Sequence, residues 1–141
     1  MQNMQNNTIY HLSSEILKSN ILHPRIPETA VDCYEDTQTP RVCFSESIDG
    51  ALSALQGDVG RYYVYTPKDI SKCFIYRPTE KEVFDSPYTK EVWVLNDVEL
   101  VCIGVVENRG ITRKTEYQMI YPPYDTFYYR YCDWIWREKF I

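Results

Sequence analysis

Residues 92–106 read VWVLNDVELVCIGVV, two apolar runs rich in β-branched side chains and separated by Asn96-Asp97. Valine, isoleucine and tryptophan at this density favour extended backbone, because branched and aromatic side chains pack well on a pleated surface. Asn-Asp is turn chemistry, so the runs are either the arms of a hairpin or two strands that meet at a bend. Strand signals dominate beyond this stretch as well. IYHL (9–12), RVCFS (41–45), RYYVYTP (61–67), KCFIYRP (72–78), ELVCIGVVE (99–107) and EYQMIYP (116–122) are further β-branched or aromatic runs bounded by turn residues.

Helix signals are few. SSEILKSNIL (13–22) offers Ser13 or Ser14 as an N-cap and places Ile16, Leu17 and Ile21 at helical spacing. SESIDGALSALQG (45–57) has Ser45 or Ser47 as cap, Ile48, Leu52 and Leu55 on one face, and Gly57 as a stop. Between them, residues 23–40 hold three prolines and several acidic groups, a long connection of the kind that carries function or moves. Together these patterns predict one α+β domain over 9–141, a bent or split antiparallel-rich sheet with two or three short helices. The polar stretch MQNMQNNT (1–8) reads as a flexible leader.

A chain of 141 residues suffices for one substantial core. Its net charge of −5 speaks against a general nucleic-acid binder, since phosphate neutralisation needs clustered Lys and Arg. GITRKTEY (110–117) is a weak basic patch whose plainer reading is a solvated strand or turn. No run approaches the apolar length of a membrane span, and no secretory signal is evident, which predicts a cytoplasmic protein. Cys33, Cys43, Cys73, Cys102 and Cys132 are widely spaced, with no C-x-x-C pair. That spacing predicts reduced thiols and no metal site. The C-terminal stretch 121–141 is dense in aromatics, either a tail packed over the sheet or a contact surface for a partner.

Common nucleotide, zinc and hydrolase motifs are missing. Three polar residues instead stand at the edges of apolar strand runs: His11, Ser45 and Glu91. Alternation puts His11 on the face of Ile9, opposite Tyr10 and Leu12. A histidine on a buried face needs a hydrogen-bond partner, a ligand or a catalytic task. A satisfied core or rim histidine is the plainer alternative.

In this order the blocks resemble the ADP-ribosyltransferase superfamily. IYHLSSEIL…NILHPRIP is similar to that family's opening strand, with an aromatic–His step, a small hydroxyl residue and a helix leading to an extended loop. PRVCFSESIDGALSAL resembles its second block, and KEVWVLNDVELVCIGVVE its third, in which a glutamate opens a strand. The HPRIP…PRVCFS frame is also similar to small phage and bacterial proteins. The resemblance implies cleavage of the nicotinamide–ribose bond of NAD and transfer of ADP-ribose to a protein or nucleic-acid acceptor. It implies that His11 bonds the adenosine ribose or a neighbouring phosphate and so orients the dinucleotide, that Ser13 adds a contact at the nicotinamide end, and that Ser45 beside Phe44 lines the nicotinamide-ribose pocket and steadies the catalytic carboxylate. Glu91 would bind the ribose 2′-hydroxyl and stabilise developing positive charge, and the loop DSPYTK (85–90) would face the acceptor, with Tyr88 as its aromatic contact. Glu82, Asp85 and Glu99 compete with Glu91 for the catalytic role. Arg25 and Arg41 would clamp pyrophosphate or pair with the acidic loop. The sequence departs from the arginine-modifying members at Thr89, where those carry a second acid, so arginine is a poor guess for the acceptor. The rival expectation is a non-enzymatic phage or bacterial protein that inhibits a host factor through its aromatic C-terminal surface.

Overall fold

The computed structural model describes residues 8–32, 35–55, 59–121 and 124–137, with side chains described outside 111–132. Asn96-Asp97 is a bend between sheets rather than a hairpin turn. Before it, β6 (Glu91–Val94) lies between β3 (Val42–Ser45) and β5 (Ile75–Tyr76) in an antiparallel sheet ordered β3-β6-β5. After it, β7 (Val98–Tyr121) enters a second antiparallel sheet ordered β1-β4-β7-β2, with β8 (Tyr124–Arg137) also on β7. Here β1 is His11–Ser13, β2 is Ile21–Leu22 and β4 is Gly60–Pro67. A hairpin turning at Asn96-Asp97 would bring Leu95 opposite Val98 and Val94 opposite Glu99. Instead Val94 faces Val42 and Ile75, and Val98 faces Leu22. The Asn96 side chain holds the bend, accepting from Phe74 N–H at 2.8 Å and donating to the Lys72 carbonyl at 2.9 Å.

The two sheets share a core. Val42, Phe44, Val92 and Val94 from the smaller sheet pack with Tyr65, Val98 and Leu100 from the larger, and Ile9 joins them. Each fully buried aliphatic or aromatic chain of this kind contributes about 1.5–3 kcal/mol. A second cluster, Leu52, Tyr62, Val64 and Val106, is packed against Tyr10, Leu12, Ile48 and Leu55. Thus Tyr10 and Leu12 serve one core and Ile9 the other, as strand alternation predicts. The backbone of Tyr10 also pairs with Ser45 in both directions, at 2.8 and 2.9 Å, which joins the two sheets through β1.

Two helices occur among the described residues, α1 (Ile48–Ala54) and α2 (Ser86–Thr89), with a 3-10 turn at Ile70–Lys72. Ser47 is the N-cap of α1, its Oγ accepting from Gly50 N–H at 2.9 Å. The resulting architecture is α+β and strand-rich. Among the described residues no helix is long and apolar enough to cross a membrane.

Three expectations are corrected. The helix over 13–22 does not form. Ser13 and Ser19 satisfy the amides of Glu15 and Ile21 locally, and the Leu17 amide donates to Tyr65 Oη at 3.0 Å instead of to a helical carbonyl. Second, the run 99–107 and residues 116–121 of the next run belong to the single long strand β7, and the weak basic patch lies inside it. Third, DSPYTK is not a loop throughout, since four of its residues form α2. The leader falls outside the described residues apart from Thr8, as does Cys33, and the side chain of Cys132 is undescribed. Cys43, Cys73 and Cys102 are free thiols.

Candidate active site

Glu91 owes its position to the one-turn helix before it. Pro87 lies in the first turn of α2, where its missing N–H costs nothing. Lys90 ends the helix in the left-handed region at φ 57°, which turns the chain sharply into β6. Ser45, the register partner of Glu91 on β3, ties this turn down. Its Oγ donates to the Thr89 carbonyl at 2.6 Å and accepts from Ser47 N–H at 3.2 Å. Gly50 on α1 permits the close approach, for a Cβ there would sit 2.6 Å from Ser45 Oγ and collide with the Thr89 carbonyl.

His11, Phe44, Ser45 and Glu91 line one cleft of 180 Å³, together with Tyr10, Leu12, Cys43, Ala51, Ala54, Leu55 and Thr89. Three strand-edge groups from distant parts of the chain therefore converge, because β1 bridges β3 and β3 pairs with β6. His11 Nδ1 lies 2.9 Å from the Cys43 carbonyl. A carbonyl only accepts, so Nδ1 carries the proton, and in the neutral ring Nε2 is left as an acceptor. Burial lowers the His11 pKa, the hydrogen bond to Cys43 opposes this, and the charge of Arg25 adds to the lowering. The imidazole is neutral at pH 7 and leans against the Phe44 ring at 5.7 Å.

The Glu91 carboxylate accepts the Trp93 indole N–H at 2.6 Å. Burial raises its pKa; the Trp93 hydrogen bond opposes this, Asp85 adds to the rise, and Arg41 and Cys43 pull the other way. Among the carboxylates that compete for the role, Glu91 alone lines this cleft. Glu82 is bound to Tyr76 Oη and Thr79 N–H on the surface, Glu99 pairs with Lys68 on the larger sheet, and Asp85 reaches Glu91 only through its charge. Glu91 also borders a second, open cleft of 360 Å³ that includes Glu46, Arg77, Glu80 and Lys90.

Several expected residues lie elsewhere. Ser13 and Tyr88 do not line the cleft, and Ser13 Oγ is occupied by Glu15. Arg25 is exposed outside it, near enough for its charge to reach His11. Arg41 is no surface clamp for pyrophosphate. Its side chain is completely buried, with Cζ 4.1 Å from the centroid of the Trp93 ring. Sequence reasoning missed Cys43, Thr89 and Trp93. The Glu-x-Trp spacing, which puts both side chains on one strand face, was the available signal for the last.

A separate cleft of 640 Å³ lies between the 68–73 turn and the 96–99 bend. Its walls carry exposed charges such as Lys68, paired with Glu99 at 3.5 Å, and it shares no residue with the convergent trio. Among the described residues no group of three or more potential metal ligands occurs. The chain matches no family model, no curated protein and no solved structure.

Proposed function

We propose that the protein is an NAD-using ADP-ribosyltransferase whose reacting centre is the cleft shared by His11, Ser45 and Glu91. The convergence of these three residues carries the reading. Two antiparallel sheets joined through β1 are compatible with the bent or split sheet that the strand pattern predicts.

Ligand pockets usually run to roughly 300–1,000 Å³, so a cleft of 180 Å³ takes one end of a dinucleotide and leaves the rest outside. The residues present fit the nicotinamide-ribose end. Phe44, Ala51 and Leu55 supply an apolar wall for the planar base, and His11 Nε2 is an acceptor for a ribose hydroxyl. Arg25, beyond His11, is the nearby cation for the pyrophosphate. Glu91, fixed by Trp93, places negative charge where the ribose becomes oxocarbenium-like, and a preorganised carboxylate needs little rearrangement to do so. Ser45 positions the carboxylate through the Thr89 turn and does not need to touch the substrate. The open cleft bordered by the same carboxylate gives a protein or nucleic-acid acceptor its side of approach.

The test is release of nicotinamide from NAD by the wild type, His11→Ala and Glu91→Gln. His11→Ala is expected to raise KM chiefly. Glu91→Gln is expected to bind NAD while losing roughly 100-fold or more in kcat. A wild type with no affinity for NAD by calorimetry overturns the reading.

A second reading rests on β8, which pairs with β7 from Val105↔Arg137 out to Tyr121↔Tyr124, well past the last β4 partner at Asn108. This ribbon carries the aromatic stretch and suits an inhibitory contact with a host protein. Trp136 is exposed at its base, whereas the side chains of 124–132 lie outside those described. Loss of partner capture on deleting 111–132, with no NAD turnover at any stage, is the outcome that favours it.

A further inference from the structure

The chain buries a guanidinium where a hydrophobic side chain would cost less. Arg41 is 1 % exposed, and its Nη1 donates to the carbonyls of Asp36 at 2.8 Å and Thr39 at 3.0 Å. Its Nε and Nη2 make no hydrogen bond, and Glu35 stands 3.5 Å from Nη2 as an ion-pair partner only. Buried donors left unpaired are costly, so such a group calls for an explanation. The stack supplies one. The cation sits over the Trp93 ring, Cζ 4.1 Å from its centroid; Trp93 is itself fully buried, and the Tyr76 ring lies 5.6 Å from the indole. The indole N–H then points along the strand to Glu91 Oε2.

We infer that Arg41 is a positioning residue that acts on Glu91 through Trp93: the guanidinium fixes the plane of the indole, and the indole fixes the carboxylate. This rests on the reading of Glu91 as the reacting carboxylate, but the coupling itself exists without substrate. A guanidinium suits the task better than an ammonium, because a planar delocalised cation stacks on an aromatic face and still donates in its own plane. Arg41 does not itself line the cleft; it reaches the carboxylate through Trp93 and by its charge, and it also acts on Cys43, a cleft residue that interacts with Glu91.

The experiment uses Arg41→Lys, which keeps the charge and loses the planar stack, Trp93→Phe, which keeps a ring and loses the donor, and the double variant. Two quantities are read. The first is the carboxyl titration of Glu91 by carbon NMR on the free protein, with Asp85, Glu35, Cys43 and Arg41 as the groups around it. The second is nicotinamide release. Arg41→Lys is expected to move the Glu91 titration upward, as the indole hydrogen bond weakens, and to lower kcat roughly ten- to 100-fold with KM little changed. In the Trp93→Phe background the same substitution is expected to add almost nothing, the mark of two residues acting in series. Additive effects overturn the inference, as does an Arg41→Lys protein that is destabilised yet keeps the Glu91 titration unchanged. If Arg41→Lys does not fold, Trp93→Phe alone decides: an unmoved Glu91 titration overturns the inference. Absence of nicotinamide release with coupled titrations defeats the enzymatic reading alone.

Discussion

Glu91 and Trp93 stand two residues apart on the same face of β6, and the indole N–H of one closes on the carboxylate of the other at 2.6 Å. The pair combines a partly buried acid with a fully buried donor. A carboxylate held in this way is poised but costly. Desolvation opposes its charge, and the Trp93 hydrogen bond, with Arg41 and Cys43 behind it, offsets part of that cost.

The pH dependence of stability exposes this cost. Burial raises the pKa of both Glu91 and Glu35, and for Glu35 the Glu91 charge adds to the rise. A raised folded-state pKa means that the contribution to stability is complete below the ordinary carboxylate range and is lost as pH climbs through the raised value. Glu91→Gln removes the charge and keeps an oxygen for Trp93. Its Tm is therefore expected to match the wild type at about pH 3–4 and to exceed it at pH 7. Asp36 and Glu82, whose pKa values are lowered by hydrogen bonds, titrate in both proteins and cancel in the difference. A Gln variant less stable at pH 7 contradicts the assignment.

Gly50→Ala tests the contact beneath the site. The new Cβ would meet Ser45 Oγ at 2.6 Å and the backbone carbonyl of Thr89, which is not free to swing away. Overpacking of this kind costs about 1–3 kcal/mol, against a gain of about 1 kcal/mol from alanine's better helix propensity. The expected result is net destabilisation in urea, with reduced NAD turnover as the Thr89 turn shifts. A neutral or stabilised variant would show that α1 can move off α2 freely.

The α+β class, the Ser47 cap and the two-faced β1 were legible because each rests on neighbours in sequence. Capping needs only Ser47 and Gly50, and alternation needs only residues 9–12. The bend at Asn96-Asp97 was not decidable locally, since what selects it is a side chain bonded to Lys72 and Phe74, more than twenty residues away. The lost helix at 13–22 has the same cause, with Tyr65 taking the amide of Leu17 from across the sheet. Of the site, the order of His11, Ser45 and Glu91 was visible and their roles were not. Arg41 beside a proline reads as a surface cation until the 35–39 loop folds over it.

Tyr65→Phe isolates that long-range bond. The ring stays in the shared core, and only the hydroxyl that accepts from Leu17 is removed. The expected cost is about 0.5–1.5 kcal/mol. Hydrogen exchange should accelerate at the Leu17 amide while the β4–β7 ladder stays protected. Unchanged exchange at Leu17 would mean the segment is held by packing alone.

Cys43 gives a chemical readout of the same environment. Cys43 lines the cleft, and burial followed by the Glu91 charge pushes its thiol pKa from 9.0 to about 12, with Arg41 pulling the other way. At pH 8 a shift of that size leaves roughly a thousandth of the thiolate that an unperturbed cysteine offers, and the thiolate is the species that alkylates. Cys102 is exposed. Iodoacetamide added to the native protein at pH 8 is therefore expected to label Cys102 well ahead of Cys43, with Cys43 following only on denaturation. In Glu91→Gln the second cause is gone while burial remains, so Cys43 should label faster than in the wild type and still more slowly than Cys102. Peptide mass mapping over a time course measures both rates. Equal rates in the native wild type would place the Cys43 thiol in a wetter, less acidic setting than the structure gives it.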